Sequence, residues 1–155
     1  MKTLKLIICI LIPLTIGSIS SLFTISSITD WYTTIIKPSF NVPNYFFGPI
    51  WTILYILMGI SLYLVIESTK NREKKDAYTY FAIQLVLNFL WSIFFFYFHS
   101  PAMAAIDILL LLFVIILMLK SYHKISPLSA KLQIPYLLWV CFATFLNISI
   151  WYLNR

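Results

Sequence analysis

The chain has 155 residues, 61% of them hydrophobic and 10% charged, with a formal net charge of +6. Soluble domains carry about 25% charged residues, so most of this surface cannot face water, and the length leaves room for a single domain. The positive charge does not indicate a nucleic-acid partner. The bases stand in short clusters between long apolar runs, where lipid headgroups would meet them.

A membrane-spanning helix needs about 20 apolar residues, and five stretches supply them. The first uncharged run covers residues 6–29, behind Lys2 and Lys5. It is longer than the core of a secretory signal and no A-x-A site follows it, which favours a retained span over a cleaved leader. The second covers residues 38–66, and its Pro- and Asn-rich start (Pro38, Asn41, Pro43, Asn44) reads as loop, with the helix beginning near Phe47. Pro49 is tolerated in the first turn. The third stretch ends at His99-Ser100-Pro101, the fourth contains one acid, Asp107, and the fifth begins near Pro135.

The expected spans are therefore residues 5–26, 47–67, 78–98, 102–120 and 132–153. Backbone groups in lipid must bond within their own segment, and the runs lack the alternation of barrel strands. The fold class is all-α integral membrane: a five-transmembrane-helix bundle with a long lid loop between helices 1 and 2. That loop, about residues 27–46, carries Trp31, Tyr32, Lys37, Pro38, Phe40 and Pro43. A stiff, partly apolar segment of this kind either covers a pocket mouth or lies along the membrane interface. Of the eleven Lys and Arg, only Lys37 and Arg155 fall on the side of that loop. The positive-inside rule then puts the N-terminus in the cytoplasm and the C-terminus outside, taking the membrane as a bacterial plasma membrane.

Polar side chains at mid-span cost free energy unless they meet a partner or a wet cavity. Gln84, Asn88 and Trp91 share one face of the third helix, and Trp139, Ala143 and Asn147 one face of the fifth. Trp51 and Tyr55 do the same on the second. The three faces can converge on an aromatic-walled pocket with a few amides. The same amides can equally be interhelical glue, worth about 0.6–2 kcal/mol each, with the tryptophans as interface anchors. Asp107 reads either as a neutral or hydrogen-bonded structural acid or as a proton-coupling group. Cys9 and Cys141 have no CxxC partner or neighbouring His and read as packing residues. No conventional catalytic constellation or phosphate-binding glycine loop is present. Two segments, Leu119-Ser121-Tyr122-Lys124 and Leu146…Tyr152…Arg155, fit the loose sterol-contact pattern.

The set Trp31-Tyr32, Lys37-Pro38, Pro43, Trp51 with Tyr55, Asn88-x-x-Trp91-Ser92, Phe95, Asp107, Pro135-Tyr136-x-x-Trp139, Phe142-Ala143 and Leu146-Asn147 resembles the translocator protein family. That family is also called the tryptophan-rich sensory protein or peripheral benzodiazepine receptor family. The resemblance implies a lidded pocket for tetrapyrroles such as protoporphyrin IX and for synthetic isoquinoline and benzodiazepine ligands. It further implies sterol binding in animal members, a role in porphyrin sensing, transport or light-dependent degradation, and a homodimer. Carried to this sequence, it makes Tyr32, Pro43, Trp51, Tyr55, Gln84, Asn88, Trp91, Asp107, Trp139, Ala143, Leu146 and Asn147 the ligand-binding set. Trp51 and Trp139 are then the candidate photochemical residues. No resident cofactor or metal is expected, and the partners are the tetrapyrrole, the bilayer and a second copy. The loop departs from the family pattern in reading Asn41-Val42-Pro43 where many members have paired prolines. The third helix also lacks a glycine-rich contact stripe. The rival readings are a proton-coupled small-molecule transporter using Asp107 and a membrane scaffold without a small ligand.

Overall fold

The computed structural model describes residues 2–70 and 74–155, and the described residues are mostly helical, without strands, the longest non-helical stretch being residues 35–43. Seven helices follow one another: α1 Lys2–Thr29, α2 Trp31–Thr34, α3 Phe47–Glu67, α4 Lys74–Ser92, α5 Pro101–Ile125, α6 Pro127–Leu132 and α7 Ile134–Leu153. A short 3₁₀ turn, Asn44–Phe46, leads into α3, and a π-helical stretch, Ile93–Tyr97, continues α4. Five segments are long and apolar enough to cross a membrane: Lys2–Thr29, Asn44–Glu67, Lys74–Tyr97, Pro101–Ile125 and Pro127–Leu153. The chain is an integral membrane protein.

The fourth helix runs past the expected end at residue 120 to Ile125, and α6 fills the rest of the expected connection. Two serines explain these boundaries. Ser100 Oγ accepts from Met103 N at the start of α5, with Pro101 in the first turn, and Ser126 Oγ accepts from Ser129 N ahead of Pro127 in α6. A serine cap followed by proline is a strong start signal for a helix. Arg72, counted above with the basic side, lies outside the described residues.

Helices in lipid gain no hydrophobic drive toward one another, so close backbone approach and polar contacts decide the packing. Gly59 of α3 allows such an approach: a Cβ there would collide with the Cα of Ile10 and the carbonyl oxygen of Cys9 on α1. Around it an inner core forms from Cys9, Met58, Leu62, Val65, Phe81, Ile115, Met118 and Tyr122. A second, outer core gathers Tyr32, Phe95, Phe96, Ala104, Leu146 and Ile150. Helix α4 packs along α5, α1 along α3, and α5 along α7, whereas α3 and α7 hardly touch. A cavity fills that gap.

The turn between α4 and α5 is tight. Ser100 N donates to Phe94 O at 3.0 Å and Phe98 N to Ile93 O at 2.9 Å, closing the π stretch. His99 between them adopts φ 52°, the left-handed region that L-residues with a Cβ enter at a cost of about 1–2 kcal/mol. Its ring lies stacked on Trp31, centroids 4.7 Å apart, an attraction that offsets part of that cost. Ser27 Oγ, which donates to Phe96 O at 2.6 Å, sits 3.4 Å from His99 Nε2. The end of α1 is thereby tied to the end of α4.

Candidate functional site

A cavity of about 330 Å³ lies in the half of the bundle away from the lysine-rich end, between α1, α3, α4 and α7. That volume stands at the lower end of the roughly 300–1,000 Å³ spanned by ligand sites. Three tryptophans wall it, Trp51 from α3, Trp91 from α4 and Trp139 from α7. Trp51 lies edge-on to Trp139 (6.5 Å, 90°) and stacks on Tyr55 (5.5 Å, 27°). Phe47 meets Trp139 at 6.0 Å, so aromatic rings bridge the gap between α3 and α7. Trp91 stacks on Phe95 at 5.2 Å. No charged side chain is among the lining residues.

Below the cavity, one hydrogen-bonded chain joins three helices. Tyr55 Oη donates to Asn88 Oδ1 at 2.7 Å, Asn88 Nδ2 donates to Tyr136 Oη at 3.3 Å, and Tyr136 Oη donates to Gln84 Oε1 at 2.8 Å. All four residues are buried. A second set stands higher. Trp91 Nε1 donates to Asn147 Oδ1 at 2.9 Å, and Asn147 Nδ2 donates to Pro101 O at 2.8 Å. Asn88 and Asn147 are thus both engaged by the protein, each with one N–H and one lone pair still free. Their amides fix Tyr55, Tyr136 and Trp91 in place before they do anything else. Both expectations for these amides, a pocket lining and interhelical glue, describe the same atoms.

Nine of the twelve residues singled out from the sequence line the cavity: Tyr32, Trp51, Tyr55, Asn88, Trp91, Trp139, Ala143, Leu146 and Asn147. Three do not. Gln84 is one helical turn below Asn88 and completes the Tyr136 bond. Pro43 precedes the 3₁₀ turn, and its neighbour Asn44 reaches the cavity instead. Asp107 is buried on α5 outside the cavity wall, with Oδ2 lacking a hydrogen-bond partner. The Nε2 of Gln84 and the Nε1 of Trp139 are likewise buried without a partner.

The wall that sequence reading missed is α1, which contributes Gly17, Ser18, Ser21 and Thr24. Ser18, Ser21 and Thr24 donate to backbone carbonyls of their own helix (Leu14, Ser18 and Ser20) at 2.7–3.2 Å, so the wall they present is small and only weakly polar. Gly17 carries a sharper role: a Cβ there would run into the Tyr55 ring. The available signal was the spacing of small residues at 17, 21 and 24, one face of a helix.

Residues 30–46 connect α1 to α3, and Tyr32 and Asn44 among them line the cavity. Tyr32 Oη donates to Asn41 Oδ1 at 2.8 Å, and Lys37 Nζ donates to Tyr32 O at 2.6 Å and Ile35 O at 3.0 Å. The same ammonium sits 4.9 Å from the centroid of the Tyr32 ring. Burial pushes the Tyr32 hydroxyl up to about 12, against a smaller lowering by its bond to Asn41, so it remains a proton donor throughout the physiological range.

Helices that cross a membrane and enclose an uncharged, tryptophan-walled cavity suit a membrane receptor for an apolar small molecule. The chain belongs to the TspO/MBR family, which it matches over residues 9–153. It is similar to the tryptophan-rich protein TspO of Archaeoglobus fulgidus, 43% identical with 99% of each chain covered. The namesake from Chlorobaculum tepidum is 41% identical, covering 99% of this chain and 98% of the relative. The human translocator protein is 33% identical over 78% of this chain and 73% of its own.

Proposed function

We propose that the protein is a membrane receptor for tetrapyrroles such as protoporphyrin IX, and that the cavity is their site. The observation that carries this reading is the wall of Trp51, Trp91 and Trp139 around a space without a charged side chain. Large flat rings gain dispersion and stacking energy against indoles, about 0.5–1.5 kcal/mol per aromatic pair beyond area burial. Amides already held in place add orientation at little entropic cost. Isoquinoline and benzodiazepine ligands share the flat aromatic character and would compete. Residues 30–46 act as the lid, the N-terminus faces the cytoplasm across a plasma membrane, and the working form is a homodimer, as the family resemblance implies. Receptor action fits sensing, transport or light-dependent degradation of the porphyrin, the last because an excited ring would lie against oxidisable indoles.

The test is a protoporphyrin titration of the purified protein in detergent, following tryptophan fluorescence, beside the Trp51→Phe/Trp139→Phe double variant. Saturable quenching, at least fivefold weaker in the variant, is the expected result. Linear quenching, equal in both, would mean partition into the micelle and would end the proposal. Irradiating the same samples tests degradation: Trp51→Phe and Trp139→Phe should each slow the loss of the Soret band.

A second reading rests on Asp107. A membrane-buried carboxyl with an unpartnered oxygen is costly and typically functional, which favours proton-coupled transport if porphyrin binding fails.

A further inference from the structure

The segment over the cavity is fastened to α7 by two residues at its middle. Asn154, just past the end of α7, accepts from Ile36 N at 2.9 Å through Oδ1 and donates to Ile36 O at 2.8 Å through Nδ2. One side-chain amide thus satisfies both backbone groups of an extended residue, the pairing a neighbouring strand would make. The same Nδ2 also donates to Ile150 O at 2.8 Å, and Asn154 N donates to Ile150 O and Trp151 O. Those bonds set Asn154 rigidly on the helix end. Four residues on, Phe40 stacks on Phe145 at 5.1 Å and meets Phe142 edge-on at 6.4 Å. Phe142 in turn packs on the cavity tryptophan Trp139 at 5.5 Å.

The remaining bonds of the segment are internal to it. Tyr32, Lys37 and Asn41 tie it into one knot, anchored where the buried Tyr32 packs on Phe95 and Phe96, so residues 35–43 swing about that anchor. Its attachment to α7 lies beside the gap where α3 and α7 meet only through aromatic rings. A tetrapyrrole is large for a cavity of about 330 Å³, and admitting one requires the cover to move.

We propose that Asn154 and Phe40 form a latch that holds residues 35–43 against α7, and that release of this latch is the step by which ligand enters and leaves the cavity. Asn154 is a positioning residue in this scheme, since it reaches the ligand only through the segment it holds. The proposal rests on the cavity being the ligand site, and its test separates the two.

Hydrogen–deuterium exchange at the Ile36 amide, in detergent and without ligand, reads the latch alone. Asn154→Ala removes both bonds to Ile36, and exchange should rise about five- to a hundredfold, since each net hydrogen bond is worth about 0.5–1.5 kcal/mol and 1.4 kcal/mol is tenfold. Asn154→Asp keeps the acceptor for Ile36 N and loses the donor to Ile36 O, so it should fall between. Stopped-flow mixing with protoporphyrin IX then reads the gate: association and dissociation should both quicken by a similar factor, leaving the affinity nearly unchanged. Phe40→Ala should act in the same direction. Unchanged exchange in Asn154→Ala would overturn the latch. Faster exchange with unaltered porphyrin rates would overturn its role as gate. If neither wild type nor variant binds porphyrin saturably, the proposed ligand fails, and the exchange result alone decides whether the latch exists.

Discussion

Tyr136 has one hydroxyl and two obligations. Its oxygen accepts from Asn88 and its proton goes to Gln84, so Tyr136→Phe strands an amide donor and a carbonyl acceptor in a fully buried layer. An orphaned buried group costs about 1–3 kcal/mol. Thermal unfolding in detergent should show a loss of that size, with only a small change in porphyrin affinity, because Tyr136 is not among the cavity-lining residues. The same logic ranks the amides. Asn147 fixes the indole of Trp91 and ties α7 to the start of α5. Its removal would disturb both stability and the aromatic wall.

At the scale of elements, Gly59 decides how close α1 and α3 come. Gly59→Val puts a branched Cβ where the Cys9 and Ile10 backbone already stands. Overpacking costs about 1–3 kcal/mol, and here the obstacle is backbone, which yields less than a flexible side chain. The variant should lower the unfolding temperature far more than Gly48→Val, since a Cβ at Gly48 meets nothing within 4 Å. Hydropathy and length made the five helices legible, because a spanning helix must be apolar for about 20 residues whatever its neighbours are. The start of α3 at Phe47 followed from Pro43 and Asn44 just before it. The continuation of α5 to Ile125 did not, because Lys120 looks like a membrane boundary although the helix simply runs on beyond it. Aromatic and amide faces on α3, α4 and α7, at spacings of three and four, left a pocket and interhelical glue equally open, since both need the same residues turned toward neighbouring helices. The α1 wall was hidden, since small hydroxyl residues bonded to their own helix look the same whether they face lipid or a cavity. The displacement of Asp107 from the wall was equally invisible, for periodicity within one helix does not fix its rotation against another.

For the whole molecule, the question is whether occupancy of the cavity leads to movement across the bilayer. Uptake into vesicles under a pH gradient separates receptor from proton-coupled carrier. For a receptor, gradient-driven porphyrin uptake should match that of protein-free vesicles and be indifferent to Asp107→Asn. Uptake that needs the gradient and vanishes in Asp107→Asn would move the function to transport. The outcome does not depend on the orientation of the chain if both gradient directions are measured. Lysines crowd one end of the bundle and the cavity lies toward the other. An anionic leaflet at the lysine-rich end would act at the face remote from the site.

Helix α1 is the least buried of the spanning helices, yet it supplies one side of the cavity. Gly17, Ser18, Ser21 and Thr24 line the cavity while Ile19 and Leu22 of the same helix are exposed and do not, so a single helix thickness separates the site from hydrocarbon. The reference phase for a guest in this cavity is then the acyl interior and not the aqueous buffer. An amphiphile already dissolved in the membrane has shed most of its hydration, and the protein adds only the difference between lipid and indole as surroundings. Dissociation constants expressed per volume of water will drift with the amount of lipid or detergent present, whereas constants expressed as mole fraction in the apolar phase will hold steady.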